Sequence, residues 1–210
     1  MFTLSSLLRG NNRTIVRATE PTPVVPGYPW ALTRHIELTD GAALFIRPIR
    51  PDDAPRLVAF FERLSPRSIY QRFFRAYDRL PDHWYHHFAN VDYRARLALV
   101  AEEPGGILHA LAQYEPGPGP GVTEIAIAVE DAWQRRGLGG LVLDALLTAA
   151  EARGLHRFTA DVLADNQPML RMLRRRVTIH RRELEAGILT IEFERRPTTE
   201  RPRLAEWRLA

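Results

Sequence analysis

The chain has 210 residues, 45% of them apolar, which suits one domain with short extensions. No apolar run approaches the roughly 18–20 residues that cross a bilayer, so we expect no membrane association. The absence of cysteine excludes disulfides, thiolate metal sites and cysteine nucleophiles. A net charge of +4 favours anionic ligands such as phosphates, but no nucleic-acid-binding pattern accompanies it. We therefore expect a cytoplasmic protein that does not bind nucleic acid.

A proline-rich stretch marks where the folded part of the chain begins. Residues 18–30 read as an extended linker because prolines recur through them. We therefore predict three parts: an N-terminal extension and linker at 1–32, a domain at 33–194 and a polar C-terminal tail at 195–210.

Turn and breaker residues divide the first half of that domain. The Asp40-Gly41 pair predicts a tight turn between two strands. Pro66 after Ser65 predicts the first turn of a helix, where a missing N–H costs little. The predicted elements are strands at 33–38 and 43–49, a helix capped by Asp52 and Asp53 and running to about Leu64, and helices at 68–75 and 82–90.

The second half alternates strands and helices. Glycine and proline between 104 and 106 and between 116 and 121 separate apolar runs that predict strands. The predicted elements are strands at 97–102, 107–114 and 122–129, a helix at 137–153, a strand at 156–162, a helix at 167–176 and a hairpin at 177–183 and 187–194. This order predicts a mixed α/β sheet with helices on both faces.

The turn between the strand at 122–129 and the long helix is rich in glycine and arginine. A helix N-terminus presents unpaired N–H groups and a positive dipole end, which suits phosphate. Glycines at 137, 139 and 140 allow close backbone approach, and Arg135 and Arg136 add positive charge. Neither the Walker nor the Rossmann spacing of glycines is present. The turn therefore predicts a different pyrophosphate cradle.

The spacing Gln134-x-x-Gly137-x-Gly139 resembles the acetyl-CoA motif of the GNAT superfamily, and residues 161–173 are similar to its second motif. The resemblance implies a GNAT-type mixed, mostly antiparallel sheet with a splayed central parallel strand pair. It also implies that the pantetheine arm of CoA lies in the gap and that Asn166, which can also be a simple N-cap, contacts it. The implied acetyl-CoA-binding residues are Ile127, Val129, Gln134, Arg135, Arg136, Gly137, Leu138, Gly139, Gly140 and Asn166.

Acylation of an amine requires a neutral amine, and a carboxylate can remove the proton from the ammonium form. Glu124 is the candidate catalytic base, because it shares one strand face with the small residues Ala126 and Ala128. Partial burial would raise its pKa toward the working range. A solvated glutamate at the start of a strand is the alternative from pattern alone.

Two further segments, 44–53 and 64–74, look like the GNAT domain of bacterial Pat-type protein lysine acetyltransferases. That resemblance implies a protein substrate with an acceptor lysine, no metal, and Glu124 in the position of the general base. A homodimer is possible by family analogy. A small-molecule amine acceptor and a non-catalytic CoA-binding sensor remain alternatives. The tyrosine that many GNATs carry after the asparagine is missing between Asn166 and Arg176.

Three other groups of residues receive structural interpretations. His83 and His87 are spaced like a helical metal pair but lack a third ligand, so we interpret them as surface residues. The arginines at 174–176 could reach a phosphate of CoA, but cations are also favoured in the last turn of a helix, so we prefer the structural interpretation. The aromatic residues Tyr70, Phe73 and Phe74 could line an acceptor site, but aromatic residues at this spacing more often pack in a core, which is the interpretation we prefer.

Overall fold

The computed structural model describes residues 25–197, so most of the predicted extension at 1–32 and of the tail at 195–210 lies outside the described residues. Eight strands form one sheet in the order β1-β2-β3-β4-β5-β6-β8-β7. The strands are β1 (Arg34–Glu37), β2 (Ala43–Pro48), β3 (Leu97–Glu102), β4 (Leu108–Pro116), β5 (Val122–Val129), β6 (Arg157–Leu163), β7 (Val177–Glu185) and β8 (Ile188–Arg195). Neighbouring strands are antiparallel except β5 and β6, which are parallel.

Five α-helices accompany the sheet. They are α1 (Ala54–Glu62), α2 (Pro66–Phe73), α3 (Asp82–Ala89), α4 (Leu138–Glu151) and α5 (Gln167–Arg176). Every strand and helix predicted from the sequence is present, with shifts only at the ends. The mixed sheet and the parallel pair confirm the predicted fold class.

Two apolar clusters place the helices on opposite faces of the sheet. One cluster joins α4 and α5 to the face that carries Leu99, Tyr114 and Ile125. The other joins α1, α2 and α3 to the face that carries Val100, Leu111 and Ala128. Since successive residues of a strand point to opposite faces, β5 sends Ile125 to one cluster and Ala128 to the other. The side of β5 that carries Glu124 therefore faces the α1–α3 layer.

The described part of the predicted linker packs against the sheet. Tyr28 is buried, stands edge-on to Tyr93 with 5.6 Å between ring centroids, and donates a hydrogen bond to the carbonyl of Pro48. The phenol of Tyr93 in turn donates to the carbonyl of Ile49. Residues 25–32 therefore contribute to the edge of the core. The domain boundary at 33 stays a prediction.

A buried ion pair fixes the start of α1. Two guanidinium nitrogens of Arg47 lie 2.7 and 2.8 Å from the two carboxylate oxygens of Asp53, and a third contact of 2.7 Å joins Arg47 to Glu102. Asp53 is fully buried and also accepts the N–H of Arg50. Its side chain makes no capping bond to α1, so the predicted cap is replaced by an ion pair that reaches across to the sheet. A 3-10 turn at Pro51–Asp53 precedes the helix.

The charge of Asp53 is maintained by this pairing. Burial alone would raise the pKa of Asp53, but the hydrogen bonds and charge of Arg47 outweigh burial and lower it. A lowered pKa stabilises the fold above the pKa of the unfolded chain. That contribution is lost as the pH falls through the folded-state pKa.

We expect Asp53→Asn to lower the free energy of unfolding by about 3–5 kcal/mol, because it leaves the Arg47 guanidinium buried without its full counter-charge. Chemical denaturation at neutral pH measures the change. Asp52→Asn is the matched control, since Asp52 is largely exposed and lies 3.4 Å from Arg50; its loss should cost below about 1 kcal/mol. Equal losses in the two variants would contradict a structural role for the buried pair.

None of the helices between residues 25 and 197 combines the length and the apolar character needed to cross a membrane.

Candidate active site

A cleft opens where β5 and β6 separate. The two strands pair only at Val122 with Arg157, Thr123 with Phe158 and Glu124 with Thr159. Beyond these pairs β6 continues along β8 to Leu163, while β5 continues along β4 to Val129. A cleft of about 780 Å³ occupies the gap. The predicted splayed strand pair is therefore present.

The peptide groups of β5 alternate between β4 and the cleft. Glu130 donates its N–H to the carbonyl of His109, and the register with β4 continues without a shift, so every second residue before it also bonds to β4. The peptide groups of Ile127 and Val129 must then point the other way, into the gap. A ligand with amide groups can bond to them as a further strand would.

The turn that leads into α4 presents free backbone donors. Within residues 25–197, the N–H groups of residues 135–139 donate to no backbone or side-chain acceptor. Gly137 has a φ of +92°, a conformation that residues with a side chain rarely adopt, and Arg135 has a φ of +59°. Several amides therefore converge on the cleft at the positive end of α4, as an anionic ligand requires.

Arginines from α5 meet the same end of α4. The guanidinium of Arg176 lies so close to Gly140 that it leaves no room for a Cβ there, and Arg176 also binds Asp144 at 3.1 Å. Arg175 lines the cleft beside it. These two side chains add positive charge to the turn, so the purely structural interpretation of 174–176 is incomplete.

Gln134 connects this turn to α2. Its side-chain amide donates to the carbonyl of Val129 and to the hydroxyl of Ser68, both at 3.0 Å. Ser68 donates in turn to Asp131 at 2.8 Å, and both the N–H and the hydroxyl of Ser65 donate to the same carboxylate. Burial would raise the pKa of Asp131, but these hydrogen bonds outweigh burial and lower it. An ionised Asp131 thus holds the N-terminus of α2 against the turn.

Glu124 lines the cleft on the α1–α3 side of β5. Burial raises its pKa, and the negative charges of Glu115 and Asp161 raise it further, whereas Arg72 opposes them. Glu115 is directly opposite Glu124 on β4, so the two carboxylates occupy one face of the sheet. A partly buried carboxylate of raised pKa beside a cleft is suited to accept a proton.

Asn166 stands at the N-terminus of α5, where its side chain accepts the N–H of Met169 at 3.2 Å. It also lines the cleft. The structure therefore gives Asn166 a capping role and places it where it can contact a ligand.

The cleft brings together most of the site residues that the sequence predicts. The predicted residues that line it are Glu124, Ile127, Val129, Gln134, Arg135, Gly137, Gly139, Gly140 and Asn166. Two do not: Leu138 is fully buried in the core, and the Arg136 side chain packs over the Trp133 ring at 4.2 Å and binds Asp40. Only the backbone of these two residues is available to a ligand at the turn.

The polar residues that α2 contributes to the cleft are not predicted from the sequence. Arg67, Gln71 and Arg72 line the cleft from this helix, together with Phe74, whereas Phe73 packs in the α1–α3 layer and Tyr70 is 47% exposed. The pairs 67/71 and 68/72 have helical spacing, which signals one polar face. The spacing alone does not show that this polar face packs against β5.

Among residues 25–197, no group of three or more histidine, aspartate or glutamate side chains is arranged to hold a metal ion. The side chains that line the cleft within these residues include no tyrosine.

A gap with free peptide groups, continuous with a turn suited to phosphates, can hold an elongated ligand that carries both amides and phosphates. Similarity to known proteins identifies the class of protein as an acyltransferase. The chain belongs to the Acetyltransferase (GNAT) family, whose model matches residues 58–177. Members of this family use acetyl-CoA.

Three known proteins illustrate the similarity. The GNAT domain of PAT from S. lividans shares 35% identity, with a TM-score of 0.73 over 80% of this chain and 99% of that one. Acetyltransferase Pat from Mycolicibacterium smegmatis is 26% identical over 76% of this chain and 48% of its own length, so the chain spans about half of that relative. An acetyltransferase-type protein from Salmonella typhimurium, described with its cofactor acetyl-CoA, shares the fold at a TM-score of 0.55, 18% identity and coverages of 75% and 96%.

We expect Gly137→Ala to weaken CoA binding about tenfold, because Ala at this φ shifts the turn whose amides face the cleft. Isothermal calorimetry with CoA measures the affinity. Gly154→Ala is the matched control: Gly154 also has a positive φ, +79°, and neither position has an atom within 4 Å of an added Cβ. Both variants should lose about 1–2 kcal/mol of stability. Equal CoA affinity in the two variants would contradict a binding role for the turn.

Proposed function

We propose that this acetyltransferase transfers the acetyl group of acetyl-CoA to an amine, preferably a lysine side chain of a protein, by direct attack with Glu124 as general base. The observation that carries the proposal is the position of Glu124: it lines the gap between β5 and β6, and its pKa is raised by burial. We also propose residues 33–194 as the catalytic domain and a homodimer as a possible assembly.

The cleft has groups complementary to the pyrophosphate and to the pantetheine arm of acetyl-CoA. The free amides of residues 135–139, with Arg175 and Arg176, suit the pyrophosphate. The peptide groups of Ile127 and Val129 suit the amides of the pantetheine arm, and Asn166 stands on the opposite wall. The thioester would then lie near Val129, on the side of the gap that leads to Glu124.

In the proposed reaction Glu124 removes a proton from the acceptor ammonium, directly or through water, and the neutral amine attacks the thioester carbonyl. A backbone N–H near Val129 that points into the gap and is not used by the pantetheine arm would stabilise the oxyanion. Collapse of the intermediate breaks the carbon–sulfur bond and releases CoA as the thiolate, and the nitrogen loses its extra proton to solvent as the amide forms. We assign the proton of the leaving thiol to solvent, since no tyrosine lines the cleft within residues 25–197. No metal and no covalent enzyme intermediate are required.

The similarity to the GNAT domain of S. lividans PAT supports a protein lysine as acceptor over a small-molecule amine. The second candidate is a CoA-binding sensor without catalysis, which the missing tyrosine favours and the raised pKa of Glu124 disfavours. Because the chain contains no lysine side chain, label transferred to a protein acceptor would not be confused with acetylation of lysines in the enzyme itself.

We expect Glu124→Gln to lower kcat by about 10²–10⁴-fold while leaving acetyl-CoA affinity unchanged, because the variant keeps the shape of the side chain but cannot accept the proton. Release of CoA from acetyl-CoA, with a lysine-bearing acyl-CoA synthetase and then a polyamine as acceptors, measures turnover. Glu37→Gln, on the exposed β1 strand, is the charge-matched control and should behave as wild type. Undiminished turnover in Glu124→Gln would exclude Glu124 as the base. Binding without turnover of any acceptor would favour the sensor.

The dependence of kcat/KM on pH should reflect the interaction between the carboxylates of Glu124 and Glu115. Activity requires the ionised form of Glu124, so kcat/KM should fall as the pH drops through its raised pKa. Glu115→Gln removes a negative charge directly opposite and should lower the pKa of Glu124, so the acidic limb of the profile should move to lower pH. Glu37→Gln is again the control. An acidic limb that stays in place would show that Glu115 does not influence the base.

A further inference from the structure

Arg72 is a cation in the cleft without a partner in the described chain. Between residues 25 and 197, its guanidinium makes no hydrogen bond and no ion pair within 4.0 Å, although it lines the cleft. Burial lowers its pKa to about 10, which leaves it positively charged at neutral pH. A partly buried guanidinium normally has an anionic partner, because desolvating a charge is otherwise costly.

The groups around Arg72 hold it in place without neutralising it. Its guanidinium carbon lies 4.9 Å from the centroid of Phe73 and 5.8 Å from that of Phe88, so aromatic rings support it. The acids that act on it are Glu124 and Glu115. Glu115 already has two other partners, His87 at 3.4 Å and Arg96 at 3.7 Å.

The phosphates of the cosubstrate do not need Arg72. Other cations line the cleft where α4 begins, namely Arg135, Arg175 and Arg176, and Arg176 lies directly over Gly140. Arg72 instead lines the cleft from α2, which packs against β5, the strand that carries Glu124. This is the side of the cleft on which the acceptor amine lies in the proposed reaction. The anion that it binds should therefore belong to the acceptor.

We propose that Arg72 recognises a carboxylate on the acceptor close to the amine that Glu124 deprotonates, so that the preferred substrates are amines flanked by acid. This inference rests on the proposed function of the cleft. A guanidinium presents paired donors that match the two oxygens of a carboxylate, and such charge-assisted bonds are among the strongest in proteins. The carboxylate can come from an acidic side chain beside a protein lysine or from the acceptor molecule itself when that is small.

The test compares acceptors that differ only in their acid. The peptide pair consists of end-blocked peptides with one lysine, flanked by aspartate in one and by asparagine in the other. The small-molecule pair is β-alanine and β-alaninamide. We expect the wild-type protein to show a kcat/KM about tenfold or more higher for the acidic member of a pair. The pair that shows the preference identifies the source of the carboxylate.

Arg72→Gln should reduce that ratio to about one, mainly through KM, and Arg72→Lys should restore it in part. Arg75→Gln removes an exposed arginine of the same region that does not line the cleft, and should keep the wild-type ratio. If Arg72 served only to hold Glu124 ionised, its loss would slow both members of each pair equally. An unchanged ratio in Arg72→Gln would overturn the proposal, as would a wild-type ratio near one.

Measurements of peptide binding test the proposed carboxylate site independently of acetyl transfer. Calorimetric titration of the CoA-loaded protein with each peptide should show tighter binding of the acidic peptide, and Arg72→Gln should abolish the difference. A preference in binding without any turnover would refute acetyl transfer to these acceptors while supporting the carboxylate site. Turnover without a preference in either assay would support the transferase and refute the role of Arg72.

Discussion

The separation of β5 from β6 is the constraint on which the rest of the site depends. A strand in the middle of a sheet would normally exchange hydrogen bonds on both sides, and buried peptide groups without partners are costly. Here Ile127 and Val129 point their peptide groups into a gap, and only the carbonyl of Val129 receives a bond from within the described chain, from Gln134. The fold therefore contains an incomplete ladder that a ligand with amides can complete. Because the gap fixes the position of that ligand, the side chains for binding and catalysis act from around it.

Gln134 shows how one residue couples the two halves of the cleft. Gln134 precedes the turn into α4 in the chain, yet its side chain donates a hydrogen bond to the hydroxyl of Ser68 on α2. Asp131 accepts from Ser65 and Ser68, so the start of α2 is held by the same short segment that precedes the phosphate turn. The helix that carries Arg72 is thereby positioned by the segment that leads to the cosubstrate site. The α2 wall of the cleft and the turn into α4 therefore form one hydrogen-bonded unit.

The sequence predicts the helices and strands, and most of the residues that line the cleft, better than it predicts long-range pairing. Glycine, proline and apolar periodicity are local signals, so the hairpin at Asp40-Gly41 and the turn at Gly137 could be found from short windows. The sequence predicts Asp53 as a helix cap, because aspartate is favoured just before a helix. In the structure its carboxylate pairs with Arg47 on β2 instead. The position of Arg72 in the cleft is not predicted from the sequence, for a related reason. A polar face on α2 is visible in the sequence, but which strand it meets depends on the packing of the whole layer.

The charges around Glu124 suggest why an acceptor carboxylate would matter for rate as well as affinity. Among the described residues, Arg72 lowers the pKa of Glu124, whereas burial, Glu115 and Asp161 raise it. A carboxylate bound to Arg72 would neutralise that cation and add a negative charge nearby. Both effects raise the pKa of Glu124 and make it a stronger base. An amine flanked by a carboxylate would thus raise the pKa of the base that deprotonates it. An amine without that carboxylate would leave the pKa of Glu124 lower, so that Glu124 is a weaker base.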